Sequence, residues 1–249
     1  MKTRNKKKIT FGTIHIYDKA RQLIETALQS ERLSSGKYVK EFEAKFAELF
    51  GVSEAVAVST GTDADALAMA VLYDLGANRG DEIIVPALSF VATGNSVLQA
   101  GFIPAFVDIE KETLNINPEK IEEKINAKTR AIMPVHLMGK PAEMDKINEL
   151  AKKFNLIVIE DAAEAFGAIY KGKKAGTIGD MAAFSLYVAH IISTIEGGMV
   201  ISNNPRYAEI LRSLRSHGRA CACKECMLNT SNAYCEKRFN NPDNSDRRF

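Results

Sequence analysis

The sequence predicts an α/β fold, in which helices cover both faces of a mostly parallel β-sheet. From Ala55 onward, short apolar runs rich in β-branched residues alternate with longer segments of helical spacing. These runs are apolar throughout, which is typical of parallel strands buried on both faces. The length of 249 residues suits one large domain of this class or two small ones.

Two amphipathic helices are predicted before the first strand. Residues 15–29 carry apolar side chains at helical spacing, and residues 35–51 repeat the pattern up to Gly51, a natural stop signal. The apolar face of the first helix contains Ala20, Leu23, Ile24, Ala27 and Leu28.

The alternation of strands and helices then continues to about residue 216. Ligands of such sheets bind at the carboxyl ends of the strands, so residues that follow a strand are the candidates for a site. The predicted strands are residues 55–60, 82–87, 103–109, 130–137, 156–161, 181–187 and 197–202. The predicted helices are residues 63–76, 91–101, 118–126, 142–155 and 205–216.

Composition excludes several classes of protein. The formal net charge is +2, so no overall field attracts nucleic acid or a membrane surface. No apolar run approaches the ~18 residues of a membrane helix. The basic N-terminus lacks the apolar segment of a secretion signal. We therefore expect a cytoplasmic protein with no nucleic-acid or membrane partner.

Several strand ends carry groups that suit a ligand site. The turn Ser59–Thr62 precedes a helix and is able to cradle a phosphate, although a simple N-cap explains it equally well. Glu160 and Asp161 end a buried strand, where a carboxylate needs a ligand cation, an arginine or backbone N–H groups as partner. Phe90 suits stacking on a flat ligand, or packing in the core. Ser185 lies near the end of the sixth predicted strand, and His190 follows that strand. Together these groups describe a pocket with a phosphate cup, an aromatic lid, a buried acid and a base.

Four cysteines are concentrated in one short segment. In a reducing compartment, such clustering favours metal binding or thiol chemistry over disulfides. A group of thiols without a metal is the alternative. The four are Cys221, Cys223, Cys226 and Cys235.

These motifs, in this order, resemble the DegT/DnrJ/EryC1/StrS sugar aminotransferases, which depend on pyridoxal phosphate and have the aspartate-aminotransferase fold. The resemblance runs from about Gly36 to Gly218. It implies the major domain of a type I pyridoxal-phosphate transferase, with a three-layer architecture. It divides the chain into an N-terminal helical segment (1–35), a cofactor-binding major domain (36–218) and a polar cysteine-containing segment (219–249). The small C-terminal domain of the family is expected to be missing.

The resemblance also implies roles for individual residues. Gly61 and Thr62 match the phosphate-binding turn, and Ser185 resembles a second phosphate-binding hydroxyl. Phe90 falls where the family stacks an aromatic ring on the pyridine, and Asp161 where a carboxylate pairs with the pyridine nitrogen. Glu164 falls where the family places a polar residue against the ring hydroxyl of the cofactor.

His190 occupies the position at which aminotransferases of this family carry the lysine that holds the cofactor covalently. Imidazole cannot form that bond. Lysines nearby lie in a hairpin-like segment, 170–176, and are expected at the surface. The same exchange is found in the 3-dehydratases of nucleotide-linked 4-keto-6-deoxy sugars, which bind pyridoxamine phosphate noncovalently and use the histidine as a base.

The resemblance therefore implies an enzyme of nucleotide-deoxysugar biosynthesis for cell-surface polysaccharide, in the first place a 3-dehydratase. A sugar aminotransferase is one alternative, and an inactive fragment that serves as a binding module is another. A homodimer is expected. The cysteine segment resembles that of the iron–sulfur 3-dehydratase, which takes electrons from a reductase, but Ala163 stands where that enzyme has its first cluster cysteine. The four cysteines therefore have three alternative interpretations: ligands of an iron–sulfur cluster, ligands of zinc, or thiols without a metal.

Overall fold

The computed structural model describes residues 14–30, 33 and 36–218. Within these ranges the chain forms a seven-stranded sheet with helices on both faces, together with a small two-stranded hairpin. The helices are α1 (Asp18–Gln29), α2 (Lys37–Phe50), α3 (Gly61–Asp74), α4 (Val91–Gln99), α5 (Met144–Phe154) and α6 (Pro205–Arg215). The strands are β1 (Glu54–Val58), β2 (Glu82–Pro86), β3 (Ile103–Val107), β4 (Thr129–Ile132), β5 (Ile157–Asp161), β6 (Ile169–Tyr170), β7 (Lys173–Lys174), β8 (Met181–Ser185) and β9 (Gly198–Ser202).

The strand order of the large sheet is β1-β9-β8-β5-β4-β2-β3. The pairs from β3 to β8 are parallel, whereas β9 pairs antiparallel with both β8 and β1. Six strands therefore share one direction and β9 alone is reversed. The prediction of a mostly parallel sheet is confirmed. The carboxyl ends of the six strands meet at one edge, and β9 begins at that edge.

Side chains along each strand point alternately to the two faces of the sheet, so the core has two layers. One layer joins α3, α4 and α6 to the sheet, through residues such as Ile159 on β5 and Ala183 on β8. The opposite layer contains α2 and α5, with Ala182 and Phe184 facing the first helix and Val158 the second. This arrangement confirms the three-layer architecture. Because neighbouring residues of a strand point to opposite faces, consecutive side chains serve different layers.

Local signals in the sequence explain where most elements begin and end. Gly51 follows α2 with a left-handed φ of 72°, and Asn155 ends α5 in the same region with a φ of 54°. Thr60 caps the start of α3 with its side chain. At the start of α6, Asn204 supplies the cap and Pro205 takes the first helical position.

One predicted helix is wrong. Residues 118–126 form two single 3₁₀ turns, Pro118–Lys120 and Glu122–Lys124, in place of an α-helix. The segment is shorter than an α-helix that persists without strong packing. Only Pro118 and Ile121 are buried, and their separation of three residues matches the 3₁₀ repeat.

The predicted hairpin at 170–176 is confirmed, and its lysines lie at the surface. Lys171 approaches Asp145 with its ammonium group at 2.5 Å, and Lys174 donates to the backbone carbonyl of Leu49. The division of the chain at residues 35 and 218 stays a prediction.

Candidate cofactor site at the carboxyl edge of the sheet

A close contact between α3 and β8 forms the first corner of the site. Gly61 is the first residue of α3, and a Cβ atom placed on it would lie 2.6 Å from the Cβ of Ser185. Gly198 meets the same turn, because a Cβ there would lie 2.1 Å from the carbonyl oxygen of Thr60. Glycine is thus required at both places. The contact brings the first backbone N–H groups of a helix beside a serine hydroxyl, a combination of donors that suits a phosphate.

Asp161 lies at the carboxyl end of β5 and is 5% exposed. The Thr93 hydroxyl donates to its Oδ2 at 2.9 Å, and the Ala163 N–H donates to Oδ1 at 3.2 Å. Burial raises the pKa of Asp161, and these two hydrogen bonds oppose that rise by favouring the ionised carboxylate. A buried carboxylate of this kind is stabilised by a cationic partner.

The neighbouring Glu160 points to the opposite face of β5 and has a structural role. Its carboxylate accepts hydrogen bonds from the N–H groups of Gly176, Ile178 and Gly179 at 2.6–2.8 Å. The Nε2 atom of His136 lies 2.8 Å from it, while the Nδ1 atom of His136 accepts from the Ala142 N–H. Since Nδ1 is an acceptor, Nε2 carries the ring hydrogen and donates to Glu160. Of the two adjacent carboxylates, Asp161 therefore belongs to the candidate site.

Phe90 immediately precedes α4 and is 74% exposed. The alternative of core packing is therefore wrong, and the ring is accessible to a ligand at this edge. Glu164 lies in the turn after β5, where its carboxylate accepts from the N–H of Met138 at 2.5 Å. Met138 has a left-handed φ of 54°, so the Glu164 side chain fixes a strained turn of the neighbouring loop. Contact of Glu164 with a ring hydroxyl stays a prediction.

His190 lies in the loop that joins β8 to β9, at the same edge as Ser185 and Asp161. Its backbone N–H donates to the carbonyl of Tyr187 at 3.0 Å, and the two rings meet edge-on with centroids 6.3 Å apart. Hydrogen bonds from the Leu186 N–H to Gly197 and from the Thr194 N–H to Leu186 close the base of the loop. The side chain of His190 is partly buried. The fold thus places the loop that carries His190 at the edge where the candidate site lies, and both the approach of the imidazole to the cofactor and its role as a base stay predictions.

Sequence reasoning missed Thr93, which contacts Asp161, and Asp65, a buried carboxyl on α3. Thr93 is buried between Asp161 and Ser89, whose hydroxyl lies 2.7 Å from that of Thr93. The spacing of Ser89 and Thr93, four residues across a helix start, was a usable signal. Asp65, on α3, gave a weaker signal, a carboxylate among the apolar positions of a buried helix.

The predicted metal ligands Cys221, Cys223, Cys226 and Cys235 lie outside the described residues. Over 14–30, 33 and 36–218, no group of three histidine, cysteine, aspartate or glutamate side chains is placed to hold a metal ion. Along the same part of the chain, no helix combines the length and apolarity needed to cross a membrane.

Comparison with known proteins places this geometry in a family context. Residues 15–234 match the model of the DegT/DnrJ/EryC1/StrS aminotransferase family. GDP-perosamine synthase of Caulobacter vibrioides is 47% identical over 185 residues, which are 74% of this chain and 49% of that protein. The dTDP-4-dehydro-2,6-dideoxy-D-glucose 3-dehydratase of Saccharopolyspora spinosa is 40% identical over 222 residues, 87% of this chain and 47% of that protein.

Solved structures agree with the fold. GDP-4-keto-6-deoxy-D-mannose-3-dehydratase of Escherichia coli, with bound hydrated pyridoxal phosphate, has a TM-score of 0.78 at 37% identity, covering 84% of this chain and 55% of that one. An aminotransferase of pseudoaminic acid biosynthesis from Helicobacter pylori has a TM-score of 0.79 at 30% identity, covering 88% and 58%. The chain spans about half the length of the curated relatives it matches.

Proposed function

Because the chain belongs to the DegT/DnrJ/EryC1/StrS aminotransferase family, we propose that it acts with pyridoxamine or pyridoxal phosphate on a nucleotide-linked 4-keto-6-deoxy sugar and removes the C3 hydroxyl. The observation that carries the dehydratase assignment is the histidine at position 190, where the aminotransferases have a lysine. The product would serve deoxysugar synthesis for cell-surface polysaccharide.

The residues at the carboxyl edge fit this cofactor. The corner formed by Gly61, Thr62 and Ser185 has the donors for its phosphate. The exposed ring of Phe90 is available to stack on the pyridine, and Asp161 is a buried carboxyl suited to a protonated ring nitrogen. When bound, the cofactor supplies an amine for the sugar ketone and a ring that accepts electrons.

The side chains of this chain then have separable tasks. Asp161 holds the proton on the ring nitrogen, and Thr93 orients Asp161 through its hydroxyl. Imidazole can accept a proton near neutral pH, so His190 is assigned to remove the C4′ proton of the cofactor. Because imidazole forms no covalent link with the cofactor aldehyde, the cofactor is retained by these contacts alone.

A sugar aminotransferase is the second candidate. Two relatives support it, since the GDP-perosamine synthases of Caulobacter vibrioides and Escherichia coli O157:H7 are 47% and 48% identical to this chain. Their substrates would then be close to that of this protein. His190 counts against this candidate, because it cannot hold the cofactor as lysine does. An inactive binding module is a third candidate.

Reduction with borohydride distinguishes the first two candidates. The purified chain is loaded with pyridoxal phosphate, reduced, denatured and weighed by mass spectrometry. We expect no covalent adduct on the wild type and a single adduct on His190→Lys, which restores an amine at that position. An adduct on the wild type would remove the dehydratase assignment. If the folded wild type binds neither form of the cofactor, the binding module is favoured.

The cysteine segment is given a separate proposal. We propose that Cys221, Cys223, Cys226 and Cys235 bind zinc or an iron–sulfur cluster. Only the cluster would take electrons, and a reductase partner would then supply them. Metal analysis after purification without air tests this. Less than one metal ion or cluster per two chains would contradict it.

A further inference from the structure

Asp65 is a buried carboxyl that packing does not explain. It lies on the inward face of α3 and is 4% exposed. Its Oδ1 atom has no contact with solvent and no hydrogen-bond partner among the described residues. The neighbouring inward positions Ala64, Ala68 and Met69 are apolar and fully buried. Because an unpaired buried carboxyl oxygen costs free energy, a functional reason for Asp65 is expected.

The geometry of α3 and the sheet places Asp65 level with Asp161. Gly61, which touches Ser185, precedes Asp65 by four residues, or about 6 Å along the helix axis. On β8, Ser185 follows Ala183 by two residues, or about 7 Å along the strand. Ala183 in turn is the registered partner of Asp161 on β5. Since α3 begins at the carboxyl edge and packs across β5, β8 and β9, Asp65 reaches back to the level of Asp161.

The two carboxyls also share a face of the sheet. Asp161 and Ile159 are separated by two residues of β5, so their side chains point to the same side. Ile159 belongs to the core layer that contains α3. Asp65 therefore lies in the same core layer into which the side chain of Asp161 points. This layer lies beneath the expected position of the pyridine nitrogen.

The electrostatics agree with this placement. Burial raises the pKa of Asp65 well above its ordinary value, and the negative charge of Asp161 raises it further. Burial also raises the pKa of Asp161, but Thr93 and Ala163 donate hydrogen bonds to that carboxylate. His136 and Glu164 are the other charged or titratable groups that act on Asp161, with opposite effects. Asp161 thus gives up its proton first, and Asp65 keeps its own.

We propose that Asp65 is a positioning residue of the cofactor site, a protonated carboxyl coupled to Asp161 that controls how firmly Asp161 holds the proton of the pyridine nitrogen. The effect on the cofactor rests on the proposed function, whereas the coupling of the two carboxyls does not. With Asp65 neutral, one negative charge faces the ring cation. Ionisation of Asp65 at higher pH adds a second negative charge, which keeps the ring protonated.

Infrared spectroscopy tests the coupling in the chain without cofactor. A protonated carboxylic acid has a carbonyl stretch distinct from that of a carboxylate, so the protonated form can be followed as pH rises. We expect a protonated-acid band in the wild type that Asp65→Asn removes. In Asp161→Asn this band should persist but disappear at lower pH, because the charge that stabilises the protonated form is gone.

Asp74→Asn, at the far end of α3, is the matched control and should leave the band unchanged. The coupling is overturned if Asp65→Asn leaves the band in place, or if the band titrates identically in the wild type and Asp161→Asn. Should Asp65→Asn fail to fold, the comparison of the wild type with Asp161→Asn decides alone.

Absorption spectroscopy of bound pyridoxamine phosphate tests the effect on the ring. The spectrum reports protonation of the pyridine nitrogen, so its pH titration is compared between the wild type and Asp65→Asn. We expect the variant to lose the ring proton at lower pH, because it cannot supply the second negative charge. An unchanged titration would overturn the role toward the ring. Absence of binding to the wild type would instead refute the proposed function, and with it that role, while the infrared result for the coupling stands.

Discussion

At the scale of single residues, Gly61 and Ser185 come from distant parts of the sequence and leave no room for a side chain between them. We expect Gly61→Ala to push α3 away from β8 and to weaken binding of pyridoxamine phosphate at least tenfold, about 1.4 kcal/mol. Isothermal titration calorimetry measures this loss, and urea unfolding measures the accompanying loss of stability.

Gly94→Ala is the control for that substitution. A Cβ at Gly94, inside α4, would meet only the Phe106 ring at 3.6 Å, an ordinary contact. Alanine there should stabilise the protein by about 0.5–1 kcal/mol, because glycine weakens a helix interior. Equal effects of the two substitutions would contradict the tight contact at Gly61.

Thr93 is the second residue whose substitution should affect cofactor binding. Thr93→Val keeps the shape of the side chain but removes the hydroxyl that donates to Asp161. Because hydrogen bonds to charged groups contribute about 1.5–3 kcal/mol, we expect the affinity for pyridoxamine phosphate to fall by tenfold or more. Thr113→Val removes a comparable hydroxyl–carboxylate contact, to Glu110, away from the site. Its binding should match the wild type, and a similar loss in both variants would refute the role of Thr93.

The buried acids give the stability of the protein a definite pH dependence. The pKa of Asp65 is raised in the folded state. Its contribution to the free energy of unfolding is therefore complete below the pKa of the unfolded state, about 3.9, and is lost as pH rises through the pKa of the folded state. Asp65→Asn removes this loss. We therefore expect the variant to be more stable than the wild type at pH 7, by a margin that shrinks toward pH 4. Urea unfolding at both pH values measures the margin, and an equal margin at both would contradict the assignment.

At the scale of elements, two consecutive acids of β5 have different roles because their side chains point to opposite faces of the sheet. Glu160 anchors the segment before β8 through three backbone N–H groups and is paired with His136. Glu160→Gln removes the charge from this buried network, and we expect a loss of about 3 kcal/mol in the free energy of unfolding. Glu149→Gln, exposed on α5, should change stability by less than about 0.5 kcal/mol. Urea unfolding compares the two, and a loss below 1 kcal/mol for Glu160→Gln would be inconsistent with the network.

At the scale of the whole molecule, α1 exposes an apolar face that includes Leu23, Ile24 and Leu28. We propose that the protein forms the homodimer that the family resemblance implies, and we expect this face to contribute to it, because exposed apolar surface of this kind is typical of association sites. The double substitution Ile24→Asp with Leu28→Asp should weaken the dimer at least tenfold in sedimentation equilibrium. Arg21→Asp serves as the polar control on the same helix. A wild type that remains monomeric at high concentration would end this expectation.

The sequence was sufficient to predict the order of elements and the edge at which the site lies. Apolar runs and helical spacing are local properties, so all six described helices and most strands of the large sheet were predicted with only small shifts of their ends. The exception among these strands is β4, which ends at Ile132, five residues before the predicted end. The segment 118–126 was the exception, because a short pattern of isoleucines suits a 3₁₀ turn as well as an α-helix. The direction of a strand depends on its pairing with strands that are distant in the sequence, so the reversal of β9 is visible only in the assembled sheet.

The amino-acid sequence alone determined the mostly parallel α/β fold, the family resemblance and the presence of an imidazole at position 190 where a lysine is expected. Tertiary structure alone decided the contact of Gly61 with Ser185, the hydrogen bond from Thr93 to Asp161 and the burial of Asp65 without a partner for its Oδ1. The physical reason is that periodicity and turn chemistry act between neighbours in the chain. Burial, pairing and electrostatic coupling act between groups that only the packing of α3, β5 and β8 brings together.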